Sequence, residues 1–369
     1  MFIVGLDLGK RKSQMCVTDA AGKIVEERKI ETTREALEEE FAKYKRSRVL
    51  IEASTSSEWV ARALEKIGLE VIVANPRFDL MYAQRDKKVK NDRRDARALA
   101  QALRLGAYQA IHRRSDAARK LMTQLMLRNA LVSSRTKLIN LVRSIAEAQG
   151  VTIGSSATGY FAANACEDLE NHPELLAEVS PAIAQIGMLS ETIKLMDDEF
   201  EEQSQANAVT RNLRTMRGIG PLASLTFYAV IDDVKRFDSG RQVSAYLGLV
   251  PSENNTGGSK RRPGAITKSG NSLARKYLVE AAFSHTSERA PKSNLKGWRD
   301  GLLKRDGRKS KMKAGIAVAR RMARILFAMW RDMKSFDDTR TAPVVPAETA
   351  TNATTDESQG STSEVASAA

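Results

Sequence analysis

Five short runs with strand-like patterns, four apolar and one alternating, constrain the fold of this chain more than any other feature. They lie at residues 2–9, 14–18, 23–30, 48–53 and 70–74. Each run has the length of a single strand. Only turns separate the first three, whereas helical patterns over 32–44 and 57–67 precede the fourth and the fifth. Three successive strands followed by alternating helix and strand predict a mixed sheet flanked by helices.

Acidic residues occur at the ends of two of these strands. Asp7 follows the apolar core of the first run, and Glu52 does the same in the fourth. Asp92 and Asp95 lie three residues apart at the start of a predicted helix, so they share a face. Converging carboxylates repel one another, and Mg²⁺ relieves this by binding carboxylate oxygens together with substrate phosphates. We predict that these four acids bind Mg²⁺ for phosphoryl transfer, although each alone could be an ordinary strand-end or helix-start residue.

The order of the predicted elements is that of ribonuclease-H-like domains, in which acids follow the first and fourth strands. We therefore predict an α/β domain of this class over residues 1–105. Actin-like sugar kinases and ATPases share the sheet and begin with a similar strand. They also need a second, glycine-rich phosphate hairpin, and the sequence contains no Asp-x-Gly-Gly-Gly segment, so this alternative is disfavoured.

Helical periodicity dominates the next part of the chain, and we predict a helical, partly coiled-coil linker over 106–205. Apolar residues recur three and four apart over 179–200, as they do along a coiled-coil seam. The pattern alone leaves open whether the seam packs inside a bundle of the same chain or against another subunit. We expect it to be the contact of a homo-oligomer, a dimer or a tetramer.

Residues 206–335 are predicted to form a mainly helical domain. Gly218 and Gly220 lie between two helical patterns, an arrangement that resembles a helix-hairpin-helix unit whose backbone N–H groups bind a phosphate. The alternative is a plain turn in which glycine supplies a positive φ.

A polar, glycine-rich loop over 252–264 is the second chemical candidate. Thr256 and Ser259 carry hydroxyls that could attack a phosphodiester, and three consecutive cations follow them: Lys260, Arg261 and Arg262. From the loop alone, a role limited to binding phosphate is favoured equally with a role as nucleophile. We expect these cations and Lys268 to contact nucleic acid.

Charge favours a polyanionic partner. The formal net charge is +14, and many of the cations crowd into residues 292–324. Clustered Lys and Arg predict binding to DNA or RNA. The last 29 residues, from Thr341, hold four acids and neither Lys nor Arg, and the Ala-, Thr- and Ser-rich segment 336–369 is predicted to be a disordered tail.

Several classes of protein are disfavoured. Two cysteines imply no disulfide framework, and three distant histidines show no zinc spacing. The N-terminal apolar run is too short for a signal peptide, and no apolar stretch reaches 18 residues, so no membrane span is expected. We expect the protein to reside in a reducing cytoplasm, in association with the nucleoid.

Two sets of short motifs carry a family resemblance. The first set is GLDLGK at 5–10, IEAS at 51–54, NP at 75–76 and KNDRRDA at 90–96. The second set is RGIGP at 217–221, GLVP at 248–251 and GAITKSGN at 264–271. Together, in order, they resemble insertion-sequence-110 family transposases, most closely the insertion-sequence-1111 branch, from residue 2 to about residue 335.

The resemblance implies a RuvC-like first domain, in which Asp7, Glu52, Asp92 and Asp95 are the DEDD ligands of Mg²⁺. It also implies a C-terminal serine that attacks the DNA backbone and forms a phosphoserine link. A non-coding bridge RNA would pair with target and donor DNA. The implied assembly is a tetramer whose sites combine one subunit's acids with another's serine.

The sequence departs from this family at the expected nucleophile. Aligning 248–251 and 257–258 with the family places Thr256 where the serine belongs. A threonine hydroxyl can act as a nucleophile, although its β-branched side chain has fewer rotamers. Thr256 is our preferred nucleophile; Ser259 or a catalytically impaired copy are the alternatives. A junction-type nuclease that uses the same acids for hydrolysis is the alternative function.

Overall fold

A computed structural model of the chain describes residues 1–78, 91–155, 157–253, 263–306 and 311–341. These residues belong to two compact units, Met1–Ser115 and Asp116–Ala369. The strands of the first unit are β1 (Ile3–Asp7), β2 (Lys12–Thr18), β3 (Ile24–Glu31), β4 (Arg48–Glu52) and β5 (Glu70–Ala74). Its helices are α1 (Arg34–Phe41), α2 (Ser57–Lys66) and α3 (Asp92–Leu105). The prediction of a mixed α/β N-terminal region is confirmed.

The five strands form one sheet in the order β3-β2-β1-β4-β5. The first three strands pair antiparallel, and β4 is parallel to both β1 and β5. Helices cover both faces of this sheet, so the central strands read as unbroken apolar runs. The side chains of Val4, Leu6, Val49 and Ile51 are fully buried on the face that packs with α1 and α2.

Helix α3 covers the opposite face and lies directly on β1. A Cβ added at Gly5 would lie 2.0 Å from the carbonyl oxygen of Ala96 and 2.4 Å from the amide nitrogen of Ala100. Only glycine permits this close approach between a strand and a helix. The buried side chain of Leu103 packs in one cluster with Ile3 at the beginning of β1. Helix α3 therefore runs antiparallel to β1, and its N-terminal turn lies toward Asp7.

The second unit is mainly helical. Its first helices are α4 (Asp116–Ala148), α5 (Phe161–Asp168), α6 (Pro173–Ala206), α7 (Ala208–Leu213), α8 (Pro221–Ile231) and α9 (Gly240–Tyr246). They are followed by β6 (Pro251–Glu253), β7 (Pro263–Ile266), α10 (Ser272–His285), α11 (Asn294–Asp306) and α12 (Lys311–Asp332). No helix in the described part of the chain is long and apolar enough to cross a membrane.

The apolar seam of α6 meets its partner within the chain. Val179, Ile186 and Ile193 are buried against the neighbouring helices of the second unit, chiefly α4. Polar contacts to α4 run from Arg128–Asp197 through Arg135–Ser190 to Gln149–Glu178. As the residue numbers rise along α4, the residue numbers of their partners on α6 fall, so the two helices are antiparallel. Packing inside one chain accounts for the burial of these side chains, and the homo-oligomer stays a prediction.

The core of the second unit is built around α8, α10 and α12. Helix α8 buries Ala223, Leu225 and Phe227, among others, and packs against the buried side of α10. Strands β6 and β7 form a two-stranded antiparallel ribbon. The sequence predicted only a loop over 252–264, because each strand is too short to show an alternating pattern.

Candidate active site

Asp7 and Glu52 end neighbouring parallel strands in matching positions. Gly5 pairs with Leu50 and Leu6 with Ile51, so the next residues in register are Asp7 and Glu52. Side chains alternate along a strand, and both acids therefore lie on the face of Gly5 and Leu50, which α3 covers. Both side chains are partly exposed. The parallel pairing thus brings both acids to the same end of the sheet.

Helix α3 brings Asp95 toward this end of the sheet. Its side chain is buried, with 5% of the residue exposed, and lies one and two turns before Leu99 and Leu103 on the same side of the helix. Leu99 and Leu103 pack with Leu50 on β4. The side chain of Asp95 therefore lies on the β4 side of the helix, toward the end of the strand that carries Glu52.

Asp92 lies elsewhere on the first turn of α3. It precedes Ala96 by one turn, and Ala96 packs against Cys16 on β2. Asp92 accepts a hydrogen bond of 3.1 Å from Lys29 Nζ on β3, and both side chains are more than half exposed. The four acids thus divide into three that approach the end of β1 and β4, and one that lies nearer the β3 edge.

The donor set suits a hard cation, although the acids are not gathered into a closed ligand cluster. In the residues that the structure describes, no group of three or more His, Cys, Asp or Glu side chains is close enough to hold a metal ion. All four candidates offer carboxylate oxygens, which Mg²⁺ prefers and usually supplements with waters and substrate phosphates. The residues therefore fit Mg²⁺ by the chemistry of their oxygen atoms, and Asp7, Glu52 and Asp95 lie toward the same end of the sheet.

Glu27 on β3 anchors the N-terminal half of α3. Arg97 donates two hydrogen bonds to its carboxylate, and Arg93 lies 3.4 Å away. These hydrogen bonds hold the pKa of the Glu27 carboxyl below its usual range. Cys16, opposite Glu27 in the β2–β3 pairing, is buried, and this burial and the Glu27 charge raise the pKa of its thiol to about 12. Sequence reasoning missed this group, which only the strand register reveals.

The predicted nucleophiles and three predicted nucleic-acid contacts lie outside the described residues. They are Thr256, Ser259, Lys260, Arg261 and Arg262. Along the chain, these residues connect β6 to β7, whose positions are described. Lys268 follows β7, is exposed and adopts a positive φ of 54°.

The base of the β6–β7 ribbon is fixed by contact between two motifs. A Cβ added at Gly248 would lie 2.0 Å from the carbonyl oxygen of Ser269, and one at Gly270 would lie 2.0 Å from that of Tyr246. Both glycines have positive φ, which other residues rarely adopt. Arg275 on α10 donates to the carbonyl oxygens of Leu247, Ser269 and Gly270. The glycines of GLVP and GAITKSGN therefore pack backbone against backbone.

Gly218 and Gly220 have different surroundings. Gly218 has a φ of 86°, and an added Cβ would lie 2.5 Å from the carbonyl oxygen of Ala281 on α10. The close approach at Gly218 is thus to protein backbone. Gly220 is the N-cap of α8 with a φ of −88°, and an added Cβ would meet nothing within 4 Å. Of the two, Gly220 leaves space at a helix N-terminus.

Two family models match the chain. The model described as "Transposase" covers residues 4–148, which include Asp7, Glu52, Asp92 and Asp95. The model described as "Transposase IS116/IS110/IS902 family" covers residues 210–296, which include the glycine turn and the β6–β7 ribbon.

Curated relatives match over most of their length. The "Probable family 20 transposase" of Pseudomonas aeruginosa is 30% identical over 338 residues, which cover 88% of this chain and 96% of the relative. The "Transposase for insertion sequence element IS1111A" of Coxiella burnetii is 27% identical over 334 residues, 89% of each chain. The "Putative transposase y4pF/y4sB" of Sinorhizobium fredii is 28% identical over 346 residues, 92% of this chain and 86% of the relative.

Proposed function

Because this chain belongs to the IS110 family and is a transposase, we propose that it cuts and rejoins DNA with a carboxylate metal site and a hydroxyl nucleophile. In this proposal the first unit is a RuvC-like domain, and Asp7, Glu52, Asp92 and Asp95 hold Mg²⁺. The observation that carries the proposal is the placement of Asp7 and Glu52 at matching ends of neighbouring strands, on the face where Asp95 approaches.

Each acid has a part in this proposal. Asp7, Glu52 and Asp95 supply negative charge at one end of the sheet, where their oxygens would hold the metal. Asp92 would join them once its carboxylate leaves Lys29, an exposed ion pair worth less than about 1 kcal/mol. When bound, Mg²⁺ would neutralise the charge that develops on the phosphodiester oxygens.

The hydroxyl of Thr256, or that of Ser259, is the proposed nucleophile. Its oxygen bonds to phosphorus while one P–O bond of the DNA strand breaks. The hydroxyl loses its proton to a base, and the departing DNA oxygen takes up a proton. The phosphoryl link to the protein retains a phosphodiester bond, so a DNA hydroxyl can reverse the step and rejoin the strand without an added energy source.

Nucleic acid would be held by the second unit. We propose phosphate contacts from Lys260, Arg261, Arg262 and Lys268, and from the backbone N–H groups near Gly218 and Gly220. A bridge RNA encoded by the element would select the DNA, and a dimer or tetramer would complete each site. The relatives support transposition, and these finer features are part of the proposal.

Covalent trapping tests the nucleophile. Protein, DNA carrying the element ends and Mg²⁺ are mixed, then denatured, and protein–DNA adducts are detected on a gel. We expect an adduct with the wild type, none with Thr256→Ala, and full yield with Ser259→Ala. An adduct lost only in Ser259→Ala would move the role to that residue. Cut DNA without any adduct would establish hydrolysis by a junction-type nuclease instead.

Substitution of the acids tests the metal site. Asp7→Asn and Glu52→Gln should each lower strand cutting at least about 100-fold while leaving the fold intact by circular dichroism. Glu39→Gln is the matched control, because Glu39 is an exposed acid on α1, which packs on the opposite face of the sheet. Cutting that persists in the Asp7 and Glu52 variants would refute the site.

Recombination with and without the flanking non-coding RNA of the element tests guidance. We expect recombinant junctions only when that RNA is present, and changing its pairing segment should redirect the DNA that is joined. Equal yields without RNA would remove the bridge RNA from the proposal and leave the acids and the nucleophile untouched.

A further inference from the structure

A large open cavity lies along one side of α12 in the second unit. Its volume is about 1380 Å³, larger than the roughly 300–1,000 Å³ of a typical small-molecule site. Strands β6 and β7 form one wall through Pro251, Gly264, Ala265 and Ile266. The cavity therefore begins beside the ribbon whose connecting segment carries the candidate nucleophiles.

Arginines from α12 line this cavity with unused hydrogen-bond donors. The Nε atoms of Arg320 and Arg324 are buried and have no hydrogen-bond partner among the described residues. Burial lowers the pKa of the Arg324 guanidinium, and the charges of Arg320, Arg241 and Arg321 lower it further. Such a group of like charges is costly to bury without an anion. The cluster therefore calls for a ligand with negatively charged oxygens.

The acids of the cavity do not neutralise this cluster. Six cations but only two acids, Asp332 and Asp337, are among the lining residues. Asp332 accepts hydrogen bonds from Arg331 at 2.7 and 3.0 Å, and Asp337 accepts two from Thr339, at 2.9 Å from its amide and at 2.6 Å from its hydroxyl. Six cations against two acids leave an excess of positive charge along the cavity.

The floor between the cations is apolar. It includes Leu249, Trp298, Leu302, Ile316 and Ile325. Leu249 is buried, whereas the other four are only partly buried, so apolar surface remains open to the cavity. The guanidinium of Arg321 lies 5.0 Å from the centre of the Trp298 ring. A simple anion would satisfy the arginines but leave this floor uncovered, and a base-paired duplex presents phosphates while hiding its bases.

We propose that the cavity binds unpaired nucleotides of the DNA strand that is being cut, with phosphates on Arg320 and Arg324 and bases against the apolar floor around Trp298 and Ile316. The assignment to the cut strand rests on the proposed function, because β6 and β7 form both the wall of the cavity and the stem of the nucleophile segment. Base contacts of this kind tolerate many sequences, because every base presents a π-face.

Fluorescence anisotropy with a short labelled single-stranded DNA, without Mg²⁺, measures this binding in the full chain. Arg320→Gln/Arg324→Gln should weaken it at least tenfold and reduce the slope of log affinity against log salt by about 1.4, the value for two phosphate contacts on a single strand. The same DNA with abasic sites should bind the wild type at least tenfold more weakly. Lys194→Gln/Arg289→Gln is the matched control, since both cations are exposed and lie outside the cavity.

Equal affinity of the wild type for abasic and ordinary DNA would overturn the proposal, as would an unchanged affinity in the Arg320/Arg324 variant. RNA of the same sequence binding tenfold tighter through these arginines would overturn the assignment to DNA. Photo-crosslinking of wild type to 4-thiothymidine DNA needs no variant: labelling of peptides containing Trp298 or Ile316 is expected, and labelling only elsewhere refutes the site.

Strand-cutting assays on the same proteins separate this inference from the proposed function. If the wild type recombines DNA and the Arg320→Gln/Arg324→Gln variant binds and cuts DNA normally, the cavity proposal is refuted and the proposed function stands. A wild type that binds through the arginines but never cuts or joins DNA refutes the proposed function and, with it, the assignment to the cut strand.

Discussion

Glu27 on β3 and Arg97 on α3 are joined by two hydrogen bonds of 2.5 and 2.6 Å across 70 residues of sequence. The pair links the edge of the sheet to the helix that carries Asp92 and Asp95. Only 8% of the Glu27 side chain is exposed, whereas 47% of the Arg97 side chain is. The position of α3 on the sheet therefore depends on a carboxylate that is not itself one of the four candidate ligands.

Glu27→Gln should lower the free energy of unfolding at pH 7 by about 1–2 kcal/mol, because one partner of a charge-assisted hydrogen-bonded pair loses its charge. The folded-state pKa of Glu27 is lowered. Its contribution is thus fully present above the unfolded value of roughly 4.3 and is lost as the pH falls through the folded pKa. Urea unfolding at pH 7 and at pH 3 should show the difference from wild type shrinking at the lower pH.

Glu31→Gln is the control for that experiment. Glu31 also lies on β3 and pairs with Lys12, but both side chains are more than half exposed. Its substitution should change stability by less than about 0.5 kcal/mol at either pH. An equal loss in both variants would mean that the Glu27–Arg97 pair has no special role.

The two cysteines should differ sharply in reactivity. Cys16 is buried, with a pKa raised to about 12, and Cys166 is exposed. At pH 8 Cys16 is therefore almost entirely a thiol, whereas the thiolate is the form that reacts. Iodoacetamide should therefore add one label to the native chain and two in guanidinium, counted by mass spectrometry. Cys166→Ser should take up none when native; rapid labelling of native Cys16 would contradict the burial described for β2.

Gly218→Ala and Gly220→Ala should separate folding from phosphate binding. Gly218→Ala forces a positive φ on alanine and a contact with the backbone of Ala281, so it should cost about 2 kcal/mol or more of stability. Gly220→Ala meets no neighbour and should cost about 1 kcal/mol or less as an N-cap change. Thermal unfolding measures both. Weaker DNA binding by a stable Gly220→Ala protein would support phosphate contact at this turn, and equal melting temperatures would refute the difference.

Substitutions on α6 should distinguish its two faces. Ile186 is fully buried in the contact with α4, whereas 62% of Met188 is exposed. Ile186→Ala should lower the free energy of unfolding by about 2–4 kcal/mol, and Met188→Ala by less than about 0.5 kcal/mol. Chemical denaturation at several protein concentrations checks this. A concentration-dependent loss in Met188→Ala alone would instead place a subunit contact on the exposed face.

The strand ends that carry Asp7 and Glu52 could be predicted because an apolar run identifies each buried strand and an acid follows each run. The parallel pairing that brings these ends together comes from the structure. Glu27 could not be found in this way. It belongs to a strand of mixed polarity, Ile24–Glu31, where the sequence gives no sign of which acid faces inward. Its role appears only when the register places it opposite Cys16 and beneath α3.

The coiled-coil pattern of α6 shows a different limit. Periodicity identifies the side of a helix that is covered, but it carries no information about which helix covers it. Ile186 and Ile193 would show the same spacing in a bundle or in a dimer. The antiparallel partner α4 begins about 60 residues earlier and is joined to α6 through α5. That pairing depends on tertiary packing, which no local pattern contains.

The close backbone contacts of Gly248 with Ser269 and of Gly270 with Tyr246 have a mechanical consequence. The backbones before β6 and after β7 are in contact, and Arg275 donates hydrogen bonds to both. The two strands are therefore held close together at the base of the ribbon. A displacement of either strand should also move the first turn of α10, because Arg275 lies in that turn and donates hydrogen bonds to the backbone next to both strands. A force on the ribbon would therefore act on α10, the helix that contributes Leu278 and Ala282 to the core.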